Sequence, residues 1–254
     1  RVHLAPSLAE IEASAWDALH DGRNPFLHHA FLAGLEIHGC LRAEWGWTPL
    51  HLCLYAGDRL VAAAPGYLKT NSHGEFVFDH AWANAYARYG RDYYPKWLCA
   101  VPYSPVTGPR LLACDAHARQ ALIAAAGRLA DGGGLFSVHV SLPAEARGAA
   151  FLAHAGGDND SSDAWLLRND VQYHWCNPGE WACFDDFLAA MDHRHRKNIR
   201  QERAKVERAG VRFRVLHGDE ADDAALAAMH GFYLEPFADY GNSPALTLEF
   251  FRHI

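Results

Sequence analysis

Residues 192–214, DHRHRKNIRQERAKVERAGVRFR, hold nine of the chain's 23 lysines and arginines against three acids. That is a net +6, leaving −13 on the rest of a chain whose total is −7. On a helix turning ~100° per residue, Arg196, Arg200 and Arg203 fall within about 60° of one another, beside an apolar stripe of Ile199 and Val206. With Lys197 adjoining, these guanidiniums form a fork array for phosphate oxygens. Such a face suits a nucleotide, a pyrophosphate-bearing cofactor or an RNA acceptor end. The plainer alternative is a solvated face with i,i+4 pairs such as Arg203 with Glu207, each worth about 0.2–0.5 kcal/mol. Three acids cannot neutralise nine bases locally, which favours an anionic partner.

A second concentration of chemistry is residues 67–97, where Lys69, His73, Glu75, Asp79, His80, Trp82, Tyr94 and Lys96 interleave with further aromatics. Polar and aromatic groups at this density suit a substrate cleft, because aromatics exclude water while leaving donors exposed to a ligand. Otherwise the aromatics are core and the ionisable groups sit at its rim. His139 alternates with Val138 and Val140 and reads either as a satisfied core histidine or as a general base.

Several chemistries are disfavoured. His193 and His195 point about 160° apart on a helix and His28 and His29 share no face, so no metal site is expected. There is no phosphate-binding Gly-x-x-x-x-Gly-Lys loop and no Gly-x-Ser-x-Gly elbow. Gly132, Gly133 and Gly134 read as a helix end and turn. The six cysteines, at 40, 53, 99, 114, 176 and 183, include no Cys-x-x-Cys pair and read as reduced thiols of a cytoplasmic protein. No apolar run approaches the ~20 residues of a membrane helix. A removed targeting peptide before Arg1 is compatible with the sequence.

The elements that must position these groups follow from periodicity and caps. Helices are expected at 7–20, with Ser7 and Glu10 as a capping box, and from Asn24-Pro25 to Ile37. A hairpin turns at Ala56-Gly57-Asp58, a helix spans 76–89, and 97–113 is extended. Next come a helix at 115–131, a strand at 135–142, a helix at 144–155 and a hairpin around Asn169-Asp170. Beyond residue 177 a single helix over 183–209, a strand at 211–216, a helix at 219–240 and a helix start at Thr247 are predicted. This order indicates an α/β or α+β chain with a boundary near residue 177. One strand cannot bury its apolar faces alone, so the second part borrows strands from the first or continues past Ile254; continuation is favoured.

The blocks 67–112, SVHVSLP (137–143), VQYHWCN (171–177) and FDDFLAAMDHRHRKNIRQERAKVERAGVRF (184–213) resemble the FemAB-like family of N-acyltransferases. The resemblance implies tandem lobes of the GCN5-related N-acetyltransferase fold: a first lobe at 1–177, and a basic helix with an incomplete second lobe at 178–254. It implies transfer of an acyl or aminoacyl group, from acyl-coenzyme A or aminoacyl-tRNA, to the amine of a muropeptide-like acceptor. Such transfer needs a base for the amine and a donor for the developing oxyanion. Asp79, His80 and His139 are the candidates beside the acceptor, and Arg196, Lys197, Arg200 and Arg203 the candidates for donor phosphates. Lys69, His73, Glu75, Trp82, Tyr94, Lys96, Tyr173 and His174 are the candidate substrate contacts. The Gly-rich loop by which many acetyltransferases hold coenzyme A is absent. Two other functions use the same surface: a non-catalytic module binding cell-wall precursor or RNA, and an interaction protein whose basic helix docks an acidic subunit.

Overall fold

The computed structural model describes residues 1–132, 134–144 and 165–254; the helix expected at 144–155 lies outside them but for its first residue. Among the described residues the strands are β1 (Val2–Ala5), β2 (Trp47–Pro49), β3 (His51–Ala56), β4 (Arg59–Ala64), β5 (Gly66–Lys69), β6 (Lys96–Cys99), β7 (Leu112–Ala113) and β8 (Ser137–Val140). The α-helices are α1 (Ala13–Asp17), α2 (His29–Ile37), α3 (His80–Arg88), α4 (Ala116–Gly127), α5 (Phe184–Ala189), α6 (His193–Arg208), α7 (Asp223–Tyr240) and α8 (Leu248–His253). The chain is thus mixed α and β, and it forms two compact units, Arg1–Leu167 with Asp223–Ile254, and Arg168–Asp222.

In the first unit, one antiparallel sheet has the order β1-β3-β4-β7. Side chains alternate across it. Leu52, Leu54, Ala62 and Ala64 join Leu122, Ile123 and Ala126 of α4 in one core, whereas Cys53 and Ala63 face Trp16, Leu27 and Leu32 in another. A sheet covered on both faces needs apolar residues at nearly every position, which is why His51–Ala56 and Arg59–Ala64 read as almost unbroken apolar runs. The buried indole of Trp16 donates to Leu27 O at 2.9 Å and so leaves no orphan polar group.

The second sheet has the order β2-β5-β6-β8, with β6 and β8 parallel. Parallel neighbours require a long crossover, and α4 lies in the segment that supplies it. Gly66 opens β5 where the chain passes closest to its neighbours: a Cβ there would lie 2.4 Å from both Leu50 O and the Trp97 ring. Gly66→Ala is expected to destabilise by about 1–3 kcal/mol through overpacking. Urea unfolding measures this, and an unchanged midpoint would show that β5 can move away.

Residues 223–254 join the first unit because α8 docks on α2. Phe250 packs with Leu35 and Cys40, Thr247 Oγ1 donates to His38 O at 3.0 Å, and His253 Nε2 bonds Ala30 O at 2.9 Å.

Local expectations hold where a short-range hydrogen bond enforces them. Asp115 and Thr247 cap the helices that follow them, whereas Asn24 caps only a 3-10 turn, Pro25–Leu27, so the helix expected from Asn24-Pro25 to Ile37 is broken at the extended His28 (ψ 140°) and α2 begins at His29. The helix expected over 7–20 divides into a short 3-10 turn and α1, because the Ser7 hydroxyl accepts from Ala9 N and donates to Glu36, with no capping box to Glu10. The helix expected over 183–209 is two helices, since Asp192 caps α6 by accepting from His195 N. Neither the strand at 211–216 nor the hairpin around Asn169-Asp170 forms a ladder among the described residues. Val215 is 84% and Leu166 92% exposed, and apolar residues that no described strand pairs with do not make a ladder.

Candidate functional site

In the second sheet Trp47, Lys69, Lys96 and Ser137 form one row across β2, β5, β6 and β8, each opposite the next. Two lysines directly opposite repel unless compensated. Both are fully buried. Lys96 Nζ donates to Glu75 Oε2 at 2.7 Å and Asp79 Oδ2 at 2.5 Å, both carboxylates being buried with it. Lys69 Nζ donates to His73 O at 3.1 Å and sits 3.7 Å from the Trp47 ring centroid, a cation–π placement. The Trp47 indole donates to the same His73 carbonyl at 3.0 Å, so residue 73 contributes its backbone to this site.

Charge is scarce in so dry a place. Burial pushes the Glu75 carboxyl up, against the lowering pull of Lys96 and Lys69. Its second oxygen, Oε1, is buried without a partner among the described residues. Burial, reinforced by Lys96 and opposed by Glu75, pushes Lys69 down to about 7. The unfolded chain therefore holds more protons than the folded one between about pH 7 and the ordinary lysine value of ~10.4, so this group's contribution to stability rises with pH across that window. Relative to Lys69→Met, the wild type should gain melting temperature from pH 7 to about 9.5. A pH-independent gap would mean that Lys69 titrates normally.

His139 lies beside this cluster on β8, its side chain 27% exposed. Its Nε2 is 2.9 Å from Ser137 Oγ and its Nδ1 3.7 Å from Asp79 Oδ2, the oxygen held by Lys96. The Tyr93 ring meets it edge-on. Tyr94 OH is 2.8 Å from Ser72 Oγ, which also accepts from Asp79 N at 3.4 Å. A half-buried imidazole with a fixed carboxylate behind it can take a proton from an amine and hold the resulting charge.

The second unit carries the basic helix. Along α6 a surface depression of about 360 Å³ is lined by His193, Arg196, Lys197, Arg200, Gln201, Ala204 and Arg208. Arg196 Nη2 donates to Met191 O at 2.8 Å, while its buried Nε has no partner among the described residues. Arg203 stacks over Phe184 at 4.3 Å, fastening α5 to α6. Among the described residues, the carboxylate within 4 Å of any of the four candidate cations is Asp185, 3.9 Å from Arg200 with both side chains exposed. Pairs of that kind are worth little, so the helix keeps its positive face.

The family model for FemAB-like proteins, described as peptidoglycan biosynthesis/recognition, matches residues 7–254. The chain belongs to the FemAB-like family. No curated protein and no solved structure matches it.

Of the candidate residues in this FemAB-like chain, the fold gathers Lys69, Glu75, Asp79, Lys96 and His139 around one buried charge, with Tyr94 reaching Asp79 through Ser72. It leaves His80 and Trp82 exposed at the start of α3, where the His80 ring stacks on Phe78. Tyr173, 98% exposed, and His174 lie in the second unit. Trp47, Ser72 and Ser137 also touch this cluster and were not singled out in the sequence, whereas Tyr93, edge-on to His139, belongs to the aromatic stretch 67–97 already read as a candidate cleft; Ser137, two residues before His139 on a strand, is the one that spacing could have revealed. All six cysteines are free, with Cys40, Cys53 and Cys99 buried and Cys114, Cys176 and Cys183 exposed. No described helix is long and apolar enough to cross a membrane.

Proposed function

We propose that this chain is an N-acyltransferase or aminoacyltransferase that moves its group from a phosphate-bearing donor to the amine of a peptidoglycan precursor, in the cytoplasm. The observation that carries it is the partly exposed His139 imidazole backed by the Lys96-bound Asp79 carboxylate. His139 removes the proton that the attacking ammonium must lose, and Asp79 stabilises the imidazolium so formed. The tandem acetyltransferase-like lobes implied by the resemblance belong to this proposal.

Donor phosphates are assigned to Arg196, Lys197, Arg200 and Arg203. The unpartnered Arg196 Nε and the depression along α6 support this. The first turn of α4 is an unfavourable alternative, since Asp115 already fills it by accepting from Ala118 N at 2.7 Å, and a phosphate there would meet a carboxylate. Both acyl-coenzyme A and aminoacyl-tRNA carry phosphates that the α6 face could hold.

The test is the Arg196→Ala/Arg200→Ala variant of the full-length protein, with affinity for acetyl-coenzyme A and for an aminoacyl-tRNA measured by titration. Each lost charge-assisted contact is worth about 1.5–3 kcal/mol, so the true donor should bind at least tenfold more weakly. Unchanged affinity for both would remove these residues from donor binding. A non-catalytic module remains the second possibility, favoured by the openness of the α6 face, and it would show the same loss of binding with no turnover.

A further inference from the structure

We infer that Asp17, His20 and His28 form a binding site for a divalent transition metal of the zinc type, which clamps the turn between α1 and α2. From spacing alone His28 stands beside His29 and has no ligand partner. The fold separates the two: His29 Nε2 turns away to Leu8 O at 3.0 Å, while His28 meets the last residue of α1. His20 Nε2 lies 3.3 Å and His28 Nδ1 3.9 Å from Asp17 Oδ1, and the three ligand atoms are all within 4.8 Å of one another. The two imidazoles are nearly perpendicular, with centroids 5.1 Å apart.

Those separations match what the ion needs. Zinc at about 2.0–2.1 Å from each of its tetrahedral ligands sets them ~3.3 Å apart, so one edge is already in place and the others close by about an ångström. Two imidazoles and a carboxylate select a borderline metal over magnesium or calcium, which require a cage of oxygens. The His20 side chain is 3% exposed, whereas Asp17 and His28 are 36% and 39% exposed. The site is therefore anchored on a buried ring and open on one side for a water ligand.

The supporting hydrogen bonds are also present. His28 Nε2–H donates to Gly22 O at 3.1 Å, which leaves the lone pair on Nδ1 directed toward Asp17, and His29 N–H donates to Asp17 Oδ1 at 2.8 Å. Metal-binding histidines characteristically donate their other ring proton in this way. His20 is in the opposite tautomer: Nδ1 accepts from Gly22 N at 3.1 Å, so the ring proton sits on Nε2. Binding moves that proton to Nδ1 and turns the N–H of the Asp21–Gly22 peptide away. The turn can do this, because Gly22 is exposed, holds φ +70° and has only the His28 ring tip within 4 Å of its missing Cβ.

The test uses tag-free protein stripped with a chelator, dialysed, and titrated with Zn²⁺ and, as a visible-absorbing probe, Co²⁺. Wild type should retain one equivalent by atomic emission, show the absorption of tetrahedral cobalt and melt a few degrees higher with the metal. His28→Gln and Asp17→Asn should lose the equivalent, the cobalt band and the shift while keeping the wild-type circular dichroism. His117→Gln, an exposed histidine on α4, should keep all three. The inference is overturned if wild type retains no metal, if His28→Gln retains it, or if His117→Gln loses it too.

Discussion

Replacing Lys96 by methionine should cost about 3–5 kcal/mol of stability, the largest loss expected from any single change in the second sheet. Lys96 is the cation that allows Glu75 and Asp79 to share one buried space, with bonds of 2.7 and 2.5 Å to its ammonium. Taking it away leaves two carboxylates facing each other without water, and at least one must take up a proton or draw solvent into the sheet. Methionine keeps the volume, so the loss reports charge rather than a cavity. Adding Glu75→Gln and Asp79→Asn to Lys96→Met should return much of the stability, because a neutral cluster has no ion to desolvate. Urea unfolding of the single and triple variants measures both. If Lys96→Met unfolds within about 1 kcal/mol of wild type, the cluster is wet and its ionisation unremarkable.

The second large effect concerns catalysis. His139→Gln should lower kcat/KM for acyl transfer by about 10²–10⁴, the usual worth of a positioned general base, while the melting temperature stays close to wild type. The ring is partly exposed and its direct bond is to Ser137 Oγ, whereas the ion pairs that hold the sheet run through Lys96. Ser137→Ala removes one neutral hydrogen bond and should change kcat/KM about tenfold or less. The assay uses whichever donor the titration selects, and it reads kcat and KM separately, since a base acting in the chemical step lowers kcat. If His139→Gln turns over like wild type, another residue carries the proton, and the β8 histidine is a structural partner of Ser137.

The two effects divide the cluster into parts that do different work. Lys96, Glu75 and Lys69 keep charge within the sheet at some cost to stability, and that cost fixes the Asp79 carboxylate behind His139. A site assembled on strands is held more rigidly than one on loops. Asp79, just ahead of α3, borrows that rigidity through Lys96 on β6 and through Ser72.

How much of this was legible beforehand depended on the range of each interaction. The cap at Asn24 and the helix starts at Asp115 and Thr247 were readable because each capping donor and acceptor lie within three residues. The hairpin at Gly57 was readable because its turn and two apolar strands are contiguous. The break at Asp192 was not, because the basic run continues helical periodicity through it and only the bond to His195 N separates α5 from α6. Nor could the cleft expected over 67–97 be told apart from a buried charge cluster. The residue types are the same, and the difference is that Lys69 and Lys96 stand opposite each other, Lys69 against Trp47 and Lys96 between Glu75 and Asp79.

By itself the sequence determined family membership, the mixed α and β character, the main helix starts and the strong positive charge carried by α6. These are properties of neighbours along the chain or of simple counts. Tertiary structure alone decided that Lys96 would hold Glu75 and Asp79, that Asp79 would stand behind His139, and that 211–216 would pair with no strand among the described residues. Desolvation and cross-strand pairing join residues distant in the chain, so no local pattern can encode whether a lysine ends in water or between two carboxylates.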